Sequence, residues 1–322
     1  MPEENNNQHK TKTQLKAEEQ APEGAVISEK LYETEEKIRR RLRRRKAVLY
    51  ALLTFFALFI IIPFYWMVIT ALKTEFQTLE SPPILWLSPD EWQFVNFSLA
   101  LERAPFIRYT INTVTVAIIA TVGTVITTIL SAFAFARLNF KGRDALFILF
   151  IATMMIPGEI FVITNFITVS RFGWLTDQTW FDALLAQTVP FMTSVFFTFF
   201  LRQAFKTVPD ELYYAAKVDG KTDWEFLWRI MVPVGMPTIL TITILNAMNT
   251  WNAYIWPNLI SMKDEYKLVS NGLRDAFSTS AGRPIYNEQM AAAMIVTVPL
   301  IIVFLLLKKY IMRGVSRSGI KG

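Results

Sequence analysis

The chain has 322 residues, 52% of them hydrophobic and 14% aromatic, with 19% charged and a formal net charge of +6. Its mean hydropathy is positive, far from the balance of a soluble domain, so membrane residence is the first reading. There is no cysteine and a single histidine, His9 in a polar tail, which excludes a disulfide framework, a thiol nucleophile, a Ser-His-Asp triad and a His-rich metal site on inventory alone.

Residues 1 to about 36 are rich in Glu, Lys, Gln and Asn, with few large apolar side chains. Such a segment is expected to stay mobile or to form a frayed helix. The run KIRRRLRRRK at 37–46 precedes the first apolar stretch. A nucleic-acid or anionic-lipid patch is one reading of it; directly before a span, the topological role is favoured. Six apolar runs then follow, at approximately 47–72, 109–136, 145–169, 184–201, 237–256 and 290–307. Each approaches the roughly 20 residues that cross a hydrocarbon core. The first is too long for a signal peptide and lacks a small-residue cleavage site. Pro63, Pro157, Pro190 and Pro299 lie inside runs, which spans tolerate when neighbouring helices satisfy the freed carbonyls. The fold class expected is all-α: a polytopic membrane protein with six transmembrane helices and a cytoplasmic helix pair between the fourth and fifth.

Lys and Arg in the short connections set orientation. The arginine run places the amino terminus inside, and six crossings return the carboxyl terminus to the same side, where Lys308, Lys309, Arg313, Arg317 and Lys321 agree. The segments 73–108, 170–183 and 257–289 are left outside. The domains expected are a polar tail at 1–45, a six-helix unit at 46–310 with an inner element at about 205–235, and a second tail at 311–322.

Glu159 follows Pro157 and Gly158 in the third run, about 14 residues and so roughly 21 Å from its inner end. An ionisable group at that depth faces a partner or water; pathway lining, gate pairing and a structural hydrogen bond all fit. In the second run, Ala120, Gly123, Thr124 and Thr127 read as close helix packing.

The inner element is well punctuated. Pro209 sits where a first turn tolerates it, and Asp210 and Glu211 suit a helix amino end. Leu212, Ala215, Ala216 and Val218 give a short helix that Gly220 ends in a left-handed residue. A capping box, Thr222-Asp223-Trp224-Glu225, starts a second helix with Phe226, Leu227 and Ile230 at apolar spacing, and Pro233 is expected to stop it. An L-shaped pair suited to a partner's groove is one reading, and an amphipathic helix on the membrane surface is the other.

The fifth run carries Asn246, Asn249, Thr250, Trp251, Asn252, Tyr254 and Trp256. Asn246, Asn249 and Trp256 share a face at three- and seven-residue offsets, with Asn252 and Tyr254 on its flanks. Amides bond hydroxyls and aromatic faces stack on sugar C–H surfaces, a combination suited to a neutral polyhydroxyl solute. Amides that knit helices and an interfacial aromatic belt are the alternative.

At the inner element the sequence resembles the permease signature of ATP-binding-cassette (ABC) importers, E-A-A, three residues, G, nine residues, I-x-L-P. It stands here as Tyr214-Ala215-Ala216, then Lys217, Val218 and Asp219, then Gly220, and after nine residues Ile230-Met231-Val232-Pro233. Tyr214 replaces the usual acidic residue and Val232 the usual Leu. Glu211, a turn earlier, stands where a substitute carboxylate would lie. The stretches ALKTEFQTLESPPILW, SAFAFARLNFKGRDALF, MIPGEIF, NTWNAYIWPNLI and KKYIMRGVSRSGIKG are similar to the carbohydrate-import, MalG-like subfamily, and the resemblance covers about residues 46–322.

The resemblance implies a type I importer permease of the bacterial inner membrane with both termini cytoplasmic. It implies a second homologous permease, two copies of an ATPase subunit that receive the coupling helices, and an extracellular or periplasmic solute-binding protein. The carboxyl-terminal GIKG tail is similar to a segment reaching toward the ATPase dimer. The cargo implied is a sugar or oligosaccharide, with another polar solute such as glycerol phosphate as the alternative and an autonomous ion-coupled carrier behind it. No catalytic residue, cofactor, metal or nucleic-acid partner is expected. No G-x-x-x-x-G-K-[ST] loop occurs in the chain, so ATP hydrolysis is expected on a separate subunit.

Overall fold

The computed structural model describes residues 23–277 and 285–316. Helices are the only regular structure among the described residues, as the apolar runs require, because in lipid the backbone must satisfy its own hydrogen bonds. The chain divides after Trp66 into two units. Over its described part, the first unit is one helix. Glu23–Ala71 runs 49 residues without a break, with Pro63 inside it, and every residue from 38 to 66 is exposed. An apolar helix exposed on all faces is the pattern of a lipid-facing span. The expectations for residues 1–22 and for the GIKG tail lie outside the described residues.

In the second unit the helix Phe106–Arg137 is central, packing along both Val195–Lys206 and Val232–Trp251. Apolar clusters sit at its two ends. One gathers Phe106 and Tyr109 with Ala71, Ala100, Val269, Ala291 and Ala292. The other gathers Ile129 and Phe133 with Leu201, Phe205, Phe226 and Met231. Twenty-seven residues separate Phe106 from Phe133, which places the two clusters about 40 Å apart along the helix.

Among the described residues, three helices are individually long and apolar enough to cross a membrane, up to five spans if each bent pair counts as one, and Tyr286–Ile302 is a shorter apolar helix. The third and fourth runs are not straight. Arg143–Met155 meets Gly158–Arg171 at 82°, and Trp180–Phe191 meets Val195–Lys206 at 54°. Proline explains both bends. The residue before Pro157, Ile156, is extended with ψ 119°, as a pre-proline residue prefers, and Pro190 falls in the last turn before the second bend. The fourth-run break frees the carbonyls of Phe191 and Met192, which accept hydrogen bonds from Thr124 Oγ1 (3.0 Å) and Thr127 Oγ1 (2.5 Å). A Cβ at Gly123 would lie 2.7 Å from Met192 Cγ. The small-residue stripe of the second run is thus a close contact with the bend. The 82° bend of the third run corrects the straight-helix depth expected for Glu159, which lies just beyond it.

Candidate functional site

The inner element starts at Asp210, with Pro209 immediately before it, and Asp210–Val218 is helical with Asp210 and Glu211 in its first turn. Gly220 adopts φ +74°. Gly220 N–H donates to Lys217 O (3.0 Å) and Lys221 N–H to Ala216 O (2.9 Å), the paired bonds of a Schellman ending. The capping box is present: Glu225 N–H donates to Thr222 Oγ1 (3.2 Å) and Thr222 N–H to Glu225 Oε2 (3.1 Å).

The expected stop at Pro233 is corrected. The helix that begins at Asp223 continues to Trp251, because Leu227–Met231 is a π-helical turn in which Val232 N–H reaches back to Leu227 O. A widened turn makes room where a proline ring would otherwise meet the carbonyl four residues earlier. The element is therefore one short helix and a turn leading into the fifth span, not two short helices.

The predicted coupling residues divide by face. Glu211, Tyr214, Ala215, Asp219, Gly220 and Pro233 are exposed, whereas Ala216 is buried in the apolar cluster and Ile230 packs against it. The two expected small residues therefore act differently: Ala215 leaves room outside, and Ala216 seats the helix. Tyr214 is 65% exposed and Val218 88%, an apolar pair presented outward.

The turn is tied by residues the signature does not include. Tyr213 OH donates to Asp223 Oδ1 (2.7 Å), and the same oxygen accepts from Lys217 Nζ (2.8 Å). Asp223 raises the pKa of the Lys217 ammonium, while burial, and after it Asp223, raises that of the Tyr213 phenol. These two shifts are upward, and Lys217, with Tyr213 after it, holds the Asp223 carboxyl below its usual range, so this contact is intact at neutral pH and is lost as pH climbs past the lysine range or falls below the carboxylate range.

A cleft of about 420 Å³ opens between the second, fourth and fifth spans. Asn246, Asn249, Thr250 and Trp256 line it, together with Gln187, Phe191, Thr193 and Ser194 from around the fourth-span bend. None of the described residues lining it carries a charge. Asn249 is exposed, and Asn246 Nδ2 donates to Thr121 Oγ1 (3.2 Å). Trp256 is buried, with its indole N–H donating to Ala186 O (3.0 Å) and its ring edge-on to Phe191. Gln187 Nε2 donates to Tyr266 O (3.3 Å), and its Oε1 is buried with no hydrogen-bond partner among the described residues.

The fifth run does not continue to Trp256 as expected. The helix ends at Trp251, and Trp256 belongs to a separate short helix, Ile255–Ile260. Asn252 turns its amide back to Met248 O (2.8 Å), the local bond by which Asn competes with helix continuation. Tyr254 OH accepts from Arg274 Nη1 (2.6 Å). Neither Asn252 nor Tyr254 lines the cleft, and nor does Glu159, which is exposed in the turn Gly158–Ile160. Thr193 and Ser194 were not singled out from the sequence; the signal for them was Pro190, three and four residues earlier, which marked the bend but not what it faces.

The chain is 29% identical over 265 residues to the sn-glycerol-3-phosphate transport system permease protein UgpE of Yersinia pestis, covering 81% of this chain and 92% of that one. It is 26% identical over 276 residues to the diacetylchitobiose uptake system permease protein NgcG of Streptomyces coelicolor, covering 86% and 89%. Its fold is similar to a chain in the crystal structure of a bacterial ABC transporter involved in the import of the acidic polysaccharide alginate, with TM-score 0.70 over 83% of this chain and 96% of that one at 22% identity. Residues 125–317, which hold both bent spans, the Gly220 turn and most of the cleft, match the binding-protein-dependent transport system inner membrane component family; the chain belongs to that family and is a multi-pass membrane permease subunit.

Proposed function

We propose that this chain forms, with a second homologous permease, the pathway of an importer for a neutral sugar or oligosaccharide, and that the Asp210–Val218 helix and Gly220 turn receive one of two separate ATPase subunits. The observation that carries the cargo reading is the cleft: amides, hydroxyls and aromatic rings without a charge. Such a lining bonds and stacks on polyhydroxyl rings and offers a phosphate or carboxylate no counter-ion. In this reading a solute-binding protein delivers the cargo on the side opposite Gly220, both termini lie on the ATPase side, and ATPase closure moves the docked helix and rocks the spans between two accesses. Tyr214 and Val218 form the apolar centre of the docking face, with Glu211 and Asp219 at its rim.

A second reading is favoured by UgpE, whose own name assigns it glycerol phosphate. Native mass spectrometry of the complex extracted in mild detergent tests the assembly. One second permease and two ATPase copies are expected, and a stable lone chain or homo-oligomer would sink the proposal. Competition for uptake in vesicles then separates the cargoes, with neutral oligosaccharides expected to compete and glycerol phosphate expected to have no effect.

A further inference from the structure

The inner ends of the second and fourth spans exchange arginines. Arg137, the last residue of Phe106–Arg137, donates from Nη2 to the carbonyl of Phe205 (2.9 Å), in the last turn of Val195–Lys206, and to that of Val208, just past its carboxyl end. Arg202, on the fourth span, donates from Nε to Phe135 O (3.1 Å) in the last turn of the second, with its guanidinium 3.6 Å from the centre of the Phe147 ring. Each cation thus lies at the carboxyl end of the other helix, where unpaired carbonyls and the helix dipole favour positive charge. Arg137 has a third contact. Its Nη1 pairs with Asp210, the first residue of the short helix that ends at Gly220.

We propose that Arg137 is the positioning residue that transmits movement of the Asp210–Val218 helix to the second and fourth spans; this rests on the coupling role given to that helix above. Its side chain is only 4% exposed while that of Asp210 is 75% exposed. An exposed ion pair by itself contributes little to stability. The carbonyl bonds are what fix the guanidinium, and a planar fork with five donors can hold three acceptors on three elements at once. A lysine at the same place keeps the charge but gathers its three N–H donors on one atom, without the planar fork that reaches the acceptors from separate nitrogens. Two of the spans joined in this way also line the cleft, the second through Val116 and Ala120 and the fourth through Phe196 and Phe197. The clasp therefore connects the partner-facing helix to the walls of the solute path.

The test uses the complete transporter, reconstituted in vesicles, and reads solute uptake per ATP hydrolysed. Arg137→Lys is expected to assemble in wild-type subunit ratio and to hydrolyse ATP within about twofold of wild type, with uptake per ATP down about tenfold, the factor that 1.4 kcal/mol of lost coupling gives. Asp210→Asn cuts only the link to the short helix and is expected to lower the same ratio about threefold. Uptake and hydrolysis falling in step, or a wild-type ratio in both variants, would overturn the proposal. If the wild-type complex holds no ATPase, the coupling role falls first and this proposal with it. A second measurement does not depend on turnover. Because the chain contains no cysteine, spin labels at Val218→Cys and Lys141→Cys report the distance between the short helix and the end of the second span. A narrow distribution that broadens in Arg137→Lys is expected; an unchanged width would show that the clasp does not hold the helix in place.

Discussion

Gly220 shows how much one backbone angle decides. With φ +74°, a Cβ there costs on the order of 1 kcal/mol although nothing lies within 4 Å of it. Gly220→Ala is therefore expected to lower uptake by a few-fold, whereas Gly220→Pro, which also lacks the N–H that reaches Lys217 O, is expected to abolish uptake in a protein that still inserts. Radiolabelled-solute uptake beside a membrane-fraction immunoblot checks both. Asn249 and Trp256 share the cleft but have different expected phenotypes. Asn249→Leu should raise the half-saturating solute concentration and leave subunit assembly unchanged, since its side chain is exposed to the cleft. Trp256→Phe removes the N–H bound to Ala186 O and should cost about 1 kcal/mol of stability, read as a lower melting temperature in detergent. Gly220 was legible because a glycine two residues before a capping box has a local meaning. Nothing local indicated that the Trp256 indole would spend its donor on residue 186, seventy positions away.

At the scale of elements, the bends carry the lesson. Pro157 and Pro190 were visible as prolines inside spans, and the general rule that spans tolerate them holds. That rule gives no bend angle, because the angle depends on which neighbour takes up the freed carbonyls. For the fourth span the neighbour is the second, through Thr124 and Thr127. Replacing both with Val keeps their size and removes the hydroxyls, leaving two carbonyls unpaired at about 1–3 kcal/mol each. The double variant is expected to show faster amide hydrogen exchange at 189–196 and weaker solute affinity, because Phe191, Thr193 and Ser194 line the cleft. Unchanged exchange would place the control of the bend elsewhere. Pro233 was misread for a related reason: a stop signal derived from α-helical bonding does not anticipate a π turn, and Leu227–Met231 supplies one. As a result the short helix leads through the Gly220 turn into a 29-residue helix, Asp223–Trp251, which carries the cleft residues Asn246 and Asn249.

For the whole molecule, the apolar runs were legible because lipid leaves a chain no alternative to long apolar helices. The cleft was only half legible. Its amide face lies on one segment and was visible as spacing; its remaining walls come from residues 116–120, 187–197 and 268, which only the packing brings together. The neutral lining leads to an expectation for the assembled transporter: inward uptake should show no more salt dependence than the binding protein alone, since none of the described residues lining the cleft carries a charge that could steer the cargo. The helix Glu23–Ala71 has a consequence of another kind. At about 1.5 Å per residue its 49 residues extend about 74 Å, and the stretch before Ala47 accounts for nearly half of that. The arginines from Arg39 onward lie within about 12 Å of where the apolar stretch begins, about one and a half screening lengths at physiological salt. The bilayer's surface charge is thus felt by those turns and hardly beyond them, so the upstream part of the helix is a lever whose orientation the lipid cannot set electrostatically.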